Sequence, residues 1–152
     1  DQDMQMPVVM NMTTGNRADV KEAKKAIEAL KTRELTVVMD RGYNDYELFM
    51  WLNERGTKFV TRIKDNALTT RLKDDVIEEC EQYGDYGFQF SSPEAKKVCA
   101  NTRLRLIQWH DQQQDRWFEF LTNDFTLKAP EIAELYRKRW QIEFFFKSSS
   151  KI

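Results

Sequence analysis

The sequence predicts an α/β fold in which a mixed sheet is flanked by helices. Two observations carry this prediction. Short apolar runs alternate with helical segments over residues 1–63, in the order strand, helix, strand, helix, strand. This order favours parallel strands joined by right-handed crossovers. Residues 66–122 then change to Gly-containing and alternating segments, and one long helical pattern follows at 129–147. With 41% hydrophobic residues in 152, the chain can bury the core of one domain.

The first elements follow from local spacing. Residues 7–12 read as a strand, and the next helix carries Val20, Ala23, Ile27 and Leu30 at helical intervals. Residues 35–40 form a β-branched apolar run that ends in Asp40. Such a continuous run is typical of a buried parallel strand.

A second helix and a third strand are predicted next. Asn44 can cap a helix over residues 44–55 that turns Leu48, Trp51 and Leu52 inward. Gly56 is expected to end that helix. Residues 58–63 read as the third strand.

The region from 66 to 122 is expected to be rich in β-structure. Residues 74–83 are acidic and are interpreted as a short helix. Antiparallel strands are predicted around a Gln-rich turn at 112–114. One strand contains Leu104, Ile107 and Trp109, and the other covers residues 117–122.

The stretch from 129 to 147 predicts the helix around which the chain is organised. Pro130 suits its first turn, and Glu131 and Glu134 place negative charge at the positive end of the helix dipole. Apolar residues recur at helical spacing and supply a core-facing stripe. They are Ile132, Leu135, Ile142 and Phe146.

One face of this helix carries three different polar groups: a phenol hydroxyl, a guanidinium and a carboxylate. Tyr136, Arg139 and Glu143 are spaced i, i+3 and i+7, so they lie within roughly 60° of one another. Alone, Arg139 and Glu143 would be read as a solvated ion pair worth a few tenths of a kcal/mol.

Asp40 changes that interpretation. Ligands of open α/β sheets gather at the carboxyl ends of strands, where Asp40 is placed. An ordinary turn-forming or capping aspartate remains the alternative. Together, Asp40 and Glu143 could share a metal ion.

These residues resemble a known family, the DDE transposases of bacterial insertion sequences. The match is to the branch with a Tyr-x2-Arg-x3-Glu-x6-Lys signature, which here reads Tyr136, Arg139, Glu143 and then Ser150 in place of Lys. The resemblance covers most of the chain and is weakest between residues 66 and 115. It implies an RNase H-like fold with a β-rich insertion at 66–122 before the signature helix at 129–147. It also implies cleavage and rejoining of transposon DNA ends.

The resemblance further implies a catalytic set of Asp, Asp and Glu that holds two Mg²⁺ (or Mn²⁺) ions. Asp40 matches the second acid and Glu143 the last, whereas the first has no match. Asp1 and Asp3 lie too close to the 7–12 strand to serve. We therefore expect that the N-terminal strands of the fold are missing, that the 35–40 strand lacks a neighbour, and that this fragment is inactive alone.

Family-like DNA contacts are expected from the same helix. Tyr136 and Arg139 would contact a phosphate near the cleaved bond. Lys147, one turn beyond Glu143, would partly replace the Lys that is absent at Ser150.

Three further residues are candidate DNA contacts. Arg62 and Lys64 leave the third strand and could grip phosphates, although they could equally be ordinary strand charges. Trp117 lies near the position at which a related family member stacks a flipped base, and a core role is its alternative.

Charge and composition further restrict the classes of protein to which the chain can belong. The net charge is −1, but residues 57–73 carry a local charge of +4 and residues 128–151 one of +3. Two cysteines and one histidine exclude a disulfide framework and a His-rich metal cluster within this chain. No apolar run is long enough to span a bilayer. The predicted location is the bacterial cytoplasm, associated with the nucleoid.

Two other functions stay open. One is a DNA-binding or dimerising remnant without catalysis, and the other is a related RNase H-like nuclease. The expected partners are double-stranded transposon ends and a second copy of the protein in a synaptic complex.

Overall fold

The structure of this protein is a computed structural model. It describes residues 8–12, 17–30, 35–39, 46–62, 71–90, 93–99 and 102–138. These ranges contain ten helices and strands, followed by a last helix, α4, over residues 129–138. They are β1 (Val8–Met12), α1 (Arg17–Leu30), β2 (Leu35–Met39), α2 (Tyr46–Glu54), β3 (Lys58–Arg62), β4 (Arg71–Glu79), β5 (Tyr83–Phe88), α3 (Pro93–Cys99), β6 (Leu104–Asp111) and β7 (Arg116–Thr122).

The strands form one mixed sheet with the order β1-β2-β3-β7-β6-β5-β4. The first three strands are parallel, and the rest join them through antiparallel pairs. With helices on both faces, this architecture confirms the predicted α/β class and is consistent with an RNase H-like fold.

Strand β2 is paired along both edges, which corrects one expectation. Val37 lies opposite Met10 on β1 and Phe59 on β3. The expectation that this strand would lack a neighbour is therefore wrong, because β1 occupies the place beside it. All five β2 residues are buried, as the β-branched run predicts.

Two hydrophobic cores lie on the two faces of the sheet. Side chains alternate along β2, so Val37 and Met39 enter one core and Val38 the other. Helices α1 and α2 cover the first core, which contains Ile27 and Leu48. Helix α4 covers the second core through residues that the sequence assigns to its apolar stripe, among them Ile132 and Leu135.

Gly56 ends α2 as predicted. Its φ of 77° lies in the left-handed region, where residues with a Cβ are disfavoured. The amide of Gly56 donates to the Asn53 carbonyl at 3.1 Å, and the amide of Thr57 donates to the Leu52 carbonyl at 2.9 Å. This pair of hydrogen bonds is a Schellman motif.

The antiparallel hairpin β6–β7 is also confirmed. His110 pairs with Trp117 and Asp111 with Arg116, so the Gln-rich residues form the turn. The Asp111 carboxylate accepts hydrogen bonds from the amides of Gln113 and Gln114 at 2.9 and 3.1 Å.

The predicted helix at 74–83 is wrong, because these residues form the end of β4, the bend at 80–82 and the first residue of β5. The register of β4 against β5 shifts twice, around Val76 and before Glu78. Such irregularities break the two-residue alternation that reveals a strand. The acidic side chains bind neighbouring strands: Glu78 accepts a hydrogen bond from the Tyr83 hydroxyl, which raises the pKa of Tyr83 to about 12.

Helix α3 was not predicted. Its sequence signals are Pro93 at the first helical position and Glu94 in the first turn. It buries Ala95 and Cys99, and burial raises the pKa of the Cys99 thiol. None of the helices within the described ranges is long and apolar enough to cross a bilayer.

Candidate functional site

A cleft of about 530 Å³ opens on the face of the sheet that α4 covers. It lies between α4, the end of β3 and the β6–β7 hairpin. The lining residues include Arg62, Gln82, Trp109, Phe118, Phe120, Pro130, Ala133, Glu134, Tyr136 and Arg137. The 110–114 segment of the hairpin also lines the cleft, so the lining combines aromatic rings and polar side chains with the guanidinium groups of Arg62 and Arg137.

Arg62 enters the cleft from the carboxyl end of β3. It pairs with Phe120 of β7 across the sheet, and its guanidinium carbon lies 4.2 Å from the centroid of the Phe118 ring. Only 8% of Arg62 is exposed. A cation over an aromatic face is stabilised by the ring quadrupole, which holds the planar guanidinium in one orientation.

Tyr136 enters the same cleft from α4. Its ring centroid lies 5.1 Å from that of Phe120, and 4% of the residue is exposed. Arg62 and Tyr136 were both predicted as phosphate contacts, and the fold places them in one cleft around Phe120. Sequence reasoning did not find Phe118 and Phe120, whose signal is an aromatic at every second position of β7.

The rim of the cleft carries an ion pair. Arg137 donates to both carboxylate oxygens of Glu134, at 3.0 and 2.7 Å. These hydrogen bonds lower the pKa of Glu134 below its usual value. Both side chains are substantially exposed, so the pair contributes little to stability.

Trp117 lies elsewhere. Side-chain alternation places it on the face opposite Phe118, where its ring is 5.0 Å from that of His110. It is 53% exposed and is absent from the residues that line the cleft. Its role in base stacking stays a prediction.

Helix α4 is anchored by a polar turn that the sequence reasoning did not single out. The Asp124 carboxylate accepts hydrogen bonds from the Thr126 amide and hydroxyl, both at 2.8 Å, and from the Leu127 amide at 3.0 Å. Burial alone would raise the pKa of Asp124, but these bonds and the charge of Lys58 lower it. Arg105 donates to the carbonyls of Asp124 and Leu127 in the same turn. Its sequence signal is one arginine within the apolar run of β6.

The remaining predicted residues lie outside the described ranges. They are Asp40, Lys64, Arg139, Glu143 and Lys147. Asp40 directly follows Met39, the last residue of β2, and Glu143 lies beyond the described part of α4. Among the described residues, no group of three His, Cys, Asp or Glu side chains could hold a metal ion.

The mixed sheet with helices on both faces is consistent with an RNase H-like fold. The model of the Transposase DDE domain family matches residues 1–150, and the chain belongs to that family.

Two relatives agree with this assignment. A Geobacillus stearothermophilus protein named as the probable transposase for insertion sequence element IS5377 is 27% identical over 142 residues, or 93% of this chain and 36% of the relative. A Sinorhizobium fredii protein with the name "Putative transposase y4zB" is 29% identical over 153 residues, or 97% of this chain and 41% of the relative. The chain thus spans about two fifths of the length of these relatives.

Proposed function

We propose that this chain is part of the catalytic core of a DDE transposase, which cleaves and rejoins transposon DNA ends as a complete protein. The domain extends over 1–152, with its β-rich insertion at 66–122 and its signature helix at 129–147. The observation that carries the proposal is the meeting of Arg62 and Tyr136 in one cleft, beside the strand end that precedes Asp40.

The sheet register supports a position for Asp40 beside this cleft. Met39 lies opposite Thr61, and Arg62 is the next residue of β3. Adjacent strands lie about 4.8 Å apart, so residue 40 leaves the sheet next to Arg62 if the register continues. Continuing the alternation would also place Asp40 on the Val38 face, which α4 covers.

The course of α4 supports a matching position for Glu143. The helix starts at the turn beside Arg105, and seven residues later Tyr136 packs on Phe120. Phe120 lies opposite Arg62, so α4 runs toward the carboxyl ends of β2 and β3. Glu143 follows Tyr136 by two turns on the same face, about 10 Å further along the axis if the helix continues.

The carboxylates of Asp40 and Glu143 would hold Mg²⁺ or Mn²⁺, because hard divalent ions prefer oxygen ligands and retain several waters. When bound, a pair of such ions supplies charge stabilisation to the attacking and leaving oxygens of a phosphodiester. The residues of this chain fit that donor chemistry in part, because the family's first acid has no match here.

The protein side chains position the DNA in this proposal. Arg62 and Tyr136 bind backbone phosphates from two sides of the cleft, by charge and by hydrogen bonding. Arg139, Lys64 and Lys147 extend the basic surface, and Trp117 offers a stacking ring. The partners are double-stranded transposon ends and a second copy in a synaptic complex, in the bacterial cytoplasm at the nucleoid.

Labelled DNA ends incubated with the complete transposase test this proposal. We expect Asp40→Asn and Glu143→Gln each to lower Mg²⁺-dependent cleavage at least 100-fold while leaving DNA affinity within a few-fold. Glu94→Gln, an exposed carboxylate on α3, is the matched control. Joined strand-transfer products separate a transposase from a nuclease, which would release cleaved ends only.

DNA binding without catalysis is the second candidate function, because binding of phosphates by Arg62 requires no metal. In that case cleavage would be absent from the wild-type protein. Salt-dependent binding of duplex DNA would survive the double substitution Asp40→Asn, Glu143→Gln. The same assay thus distinguishes the two functions.

A further inference from the structure

We propose that Arg105 is a positioning residue that sets the start of α4, and thereby the placement of the DNA-contacting and metal-binding residues on that helix. Asp85 orients Arg105 for this task. The inference rests on the proposed function, because it assigns the helix a catalytic carboxylate.

Arg105 and Asp85 form a buried, two-point ion pair. The Nε and Nη2 groups of Arg105 donate to the two carboxylate oxygens of Asp85 at 2.8 and 2.7 Å. Only 3% of Arg105 and 1% of Asp85 are exposed. The planar guanidinium matches a carboxylate at two points, so Asp85 fixes both the position and the plane of the fork.

The third nitrogen of the fork reaches the turn before α4. Nη1 of Arg105 donates to the carbonyl of Asp124 at 2.7 Å and to that of Leu127 at 2.5 Å. The helical hydrogen bonds begin at the next residue, where the Lys128 carbonyl accepts from the amides of Glu131 and Ile132. Arg105 therefore binds the main chain directly at the base of the helix.

The turn is held from two directions. The Asp124 carboxylate binds its amides, and Arg105 binds its carbonyls. The sheet thus holds the main chain at the start of α4 through one guanidinium.

A small change of orientation at the start of α4 causes a larger displacement of residues further along the helix. Tyr136 lies about 10 Å beyond Ala129 along the axis, and residue 143 lies about 21 Å beyond it if the helix continues. A tilt of about 5° would move these positions by about 1 and 2 Å. Misplacement by 1 Å can lower a catalytic rate about 100-fold.

The ion pair by itself is not required for stability. A buried ion pair is often replaced by apolar residues of similar volume without loss of stability. An apolar pair could not donate to the two carbonyls, which is the specific contribution of Arg105.

Arg103 and Asp75 provide a matched comparison on the same protein. Arg103 donates through Nε and Nη2 to Asp75, both at 2.7 Å, so the two-point geometry is the same. The Arg103 side chain is 47% exposed, and its guanidinium carbon lies 4.8 Å from the centroid of the Phe125 ring in the 124–127 turn, but among the described residues it donates to no carbonyl of that turn.

The test compares Arg105→Lys with Arg103→Lys in the complete transposase, by amide hydrogen exchange and by the kinetics of metal-dependent DNA cleavage. We expect Arg105→Lys to speed exchange at Thr126, Leu127 and residues 129–138 at least 10-fold, with β2 and β3 unchanged. Its kcat should fall 10- to 100-fold while KM for DNA stays within about 3-fold. Arg103→Lys should change neither quantity.

The double variant Asp85→Leu, Arg105→Met keeps the test decisive if the lysine variant does not fold. It removes the carbonyl donor without leaving a buried charge, and should show the same local exchange and the same fall in kcat. Unchanged exchange over 126–138, or an equal rise throughout the sheet, would overturn the positioning role. Absence of cleavage by the wild-type protein would overturn the proposed function, whereas the exchange result would still decide how α4 is positioned.

Discussion

The guanidinium carbon of Arg62 lies 4.2 Å from the centroid of the Phe118 ring, on the floor of the cleft that Tyr136 enters from α4. One cation is thus held by an aromatic face in a fixed orientation, at the carboxyl end of a parallel strand. For the proposed phosphate contact, a charge that is oriented before DNA binds would lower the entropic cost of binding.

Replacing Arg62 tests the phosphate contact. Arg62→Met should weaken binding of duplex DNA and reduce the slope of log affinity against log salt by about 1, because one counterion fewer is released. Fluorescence anisotropy over a range of salt concentrations measures the slope. Arg55→Met is the control, since Arg55 also stacks on an aromatic ring, that of Trp51 at 4.7 Å, but directly follows α2 and does not line the cleft. An equal loss of slope in the control would contradict the assignment.

Two substitutions separate the packing of Tyr136 from its hydroxyl. Tyr136→Phe keeps the ring against Phe120 and should lower DNA affinity without loss of that packing. Tyr136→Ala also removes the packed ring and should cost about 3 kcal/mol or more. Urea unfolding and DNA titration give the two quantities. Unchanged DNA affinity in Tyr136→Phe would show that the hydroxyl does not contact DNA.

Asp124 predicts a component of acid unfolding. Its pKa is lowered in the fold, so its contribution to stability is present above the unfolded pKa of about 3.9 and is lost as the pH falls through the folded value. Asp124→Asn should therefore reduce stability at pH 7 and flatten the fall in stability below about pH 4. Thermal unfolding across this pH range measures both effects. A stability profile of Asp124→Asn that falls as steeply below about pH 4 as that of the wild-type protein would contradict this role.

Gly56 gives a prediction about the backbone alone. A Cβ at this position would meet no atom within 4 Å, so the cost of Gly56→Ala comes only from the positive φ of 77°. We expect a loss of about 1–2 kcal/mol in the free energy of unfolding. A neutral effect in urea unfolding would show that the Schellman motif does not constrain the end of α2.

Features set by neighbouring residues could be predicted from the sequence. The β-branched run of β2 and the Gln-rich turn of the β6–β7 hairpin were identified correctly, because short segments determine them. The pairing of β1 with β2 depends on which strands are available to the whole sheet, and it was mispredicted. The bulges of β4 concealed a strand, because they break its alternation.

The residues of the candidate site likewise divide into those that local sequence patterns predict and those that they do not. Tyr136 was found through helical spacing, and Arg62 through its place at a strand end. Arg105 was missed because its partners, Asp85 and the 124–127 carbonyls, lie about 20 residues away on either side. No local pattern distinguishes such a buried arginine from a surface charge.

The position of bound Mn²⁺ tests the central claim most directly. Anomalous diffraction from crystals of the complete transposase grown with Mn²⁺ should locate the ion between the carboxylates of Asp40 and Glu143, beside the cleft of Arg62 and Tyr136. Each carboxylate should lie within about 2.5 Å of an ion, and a second ion about 4 Å from the first is expected when the first acid is supplied. Carboxylates separated by more than about 10 Å, or Mn²⁺ bound elsewhere, would contradict a shared two-metal site.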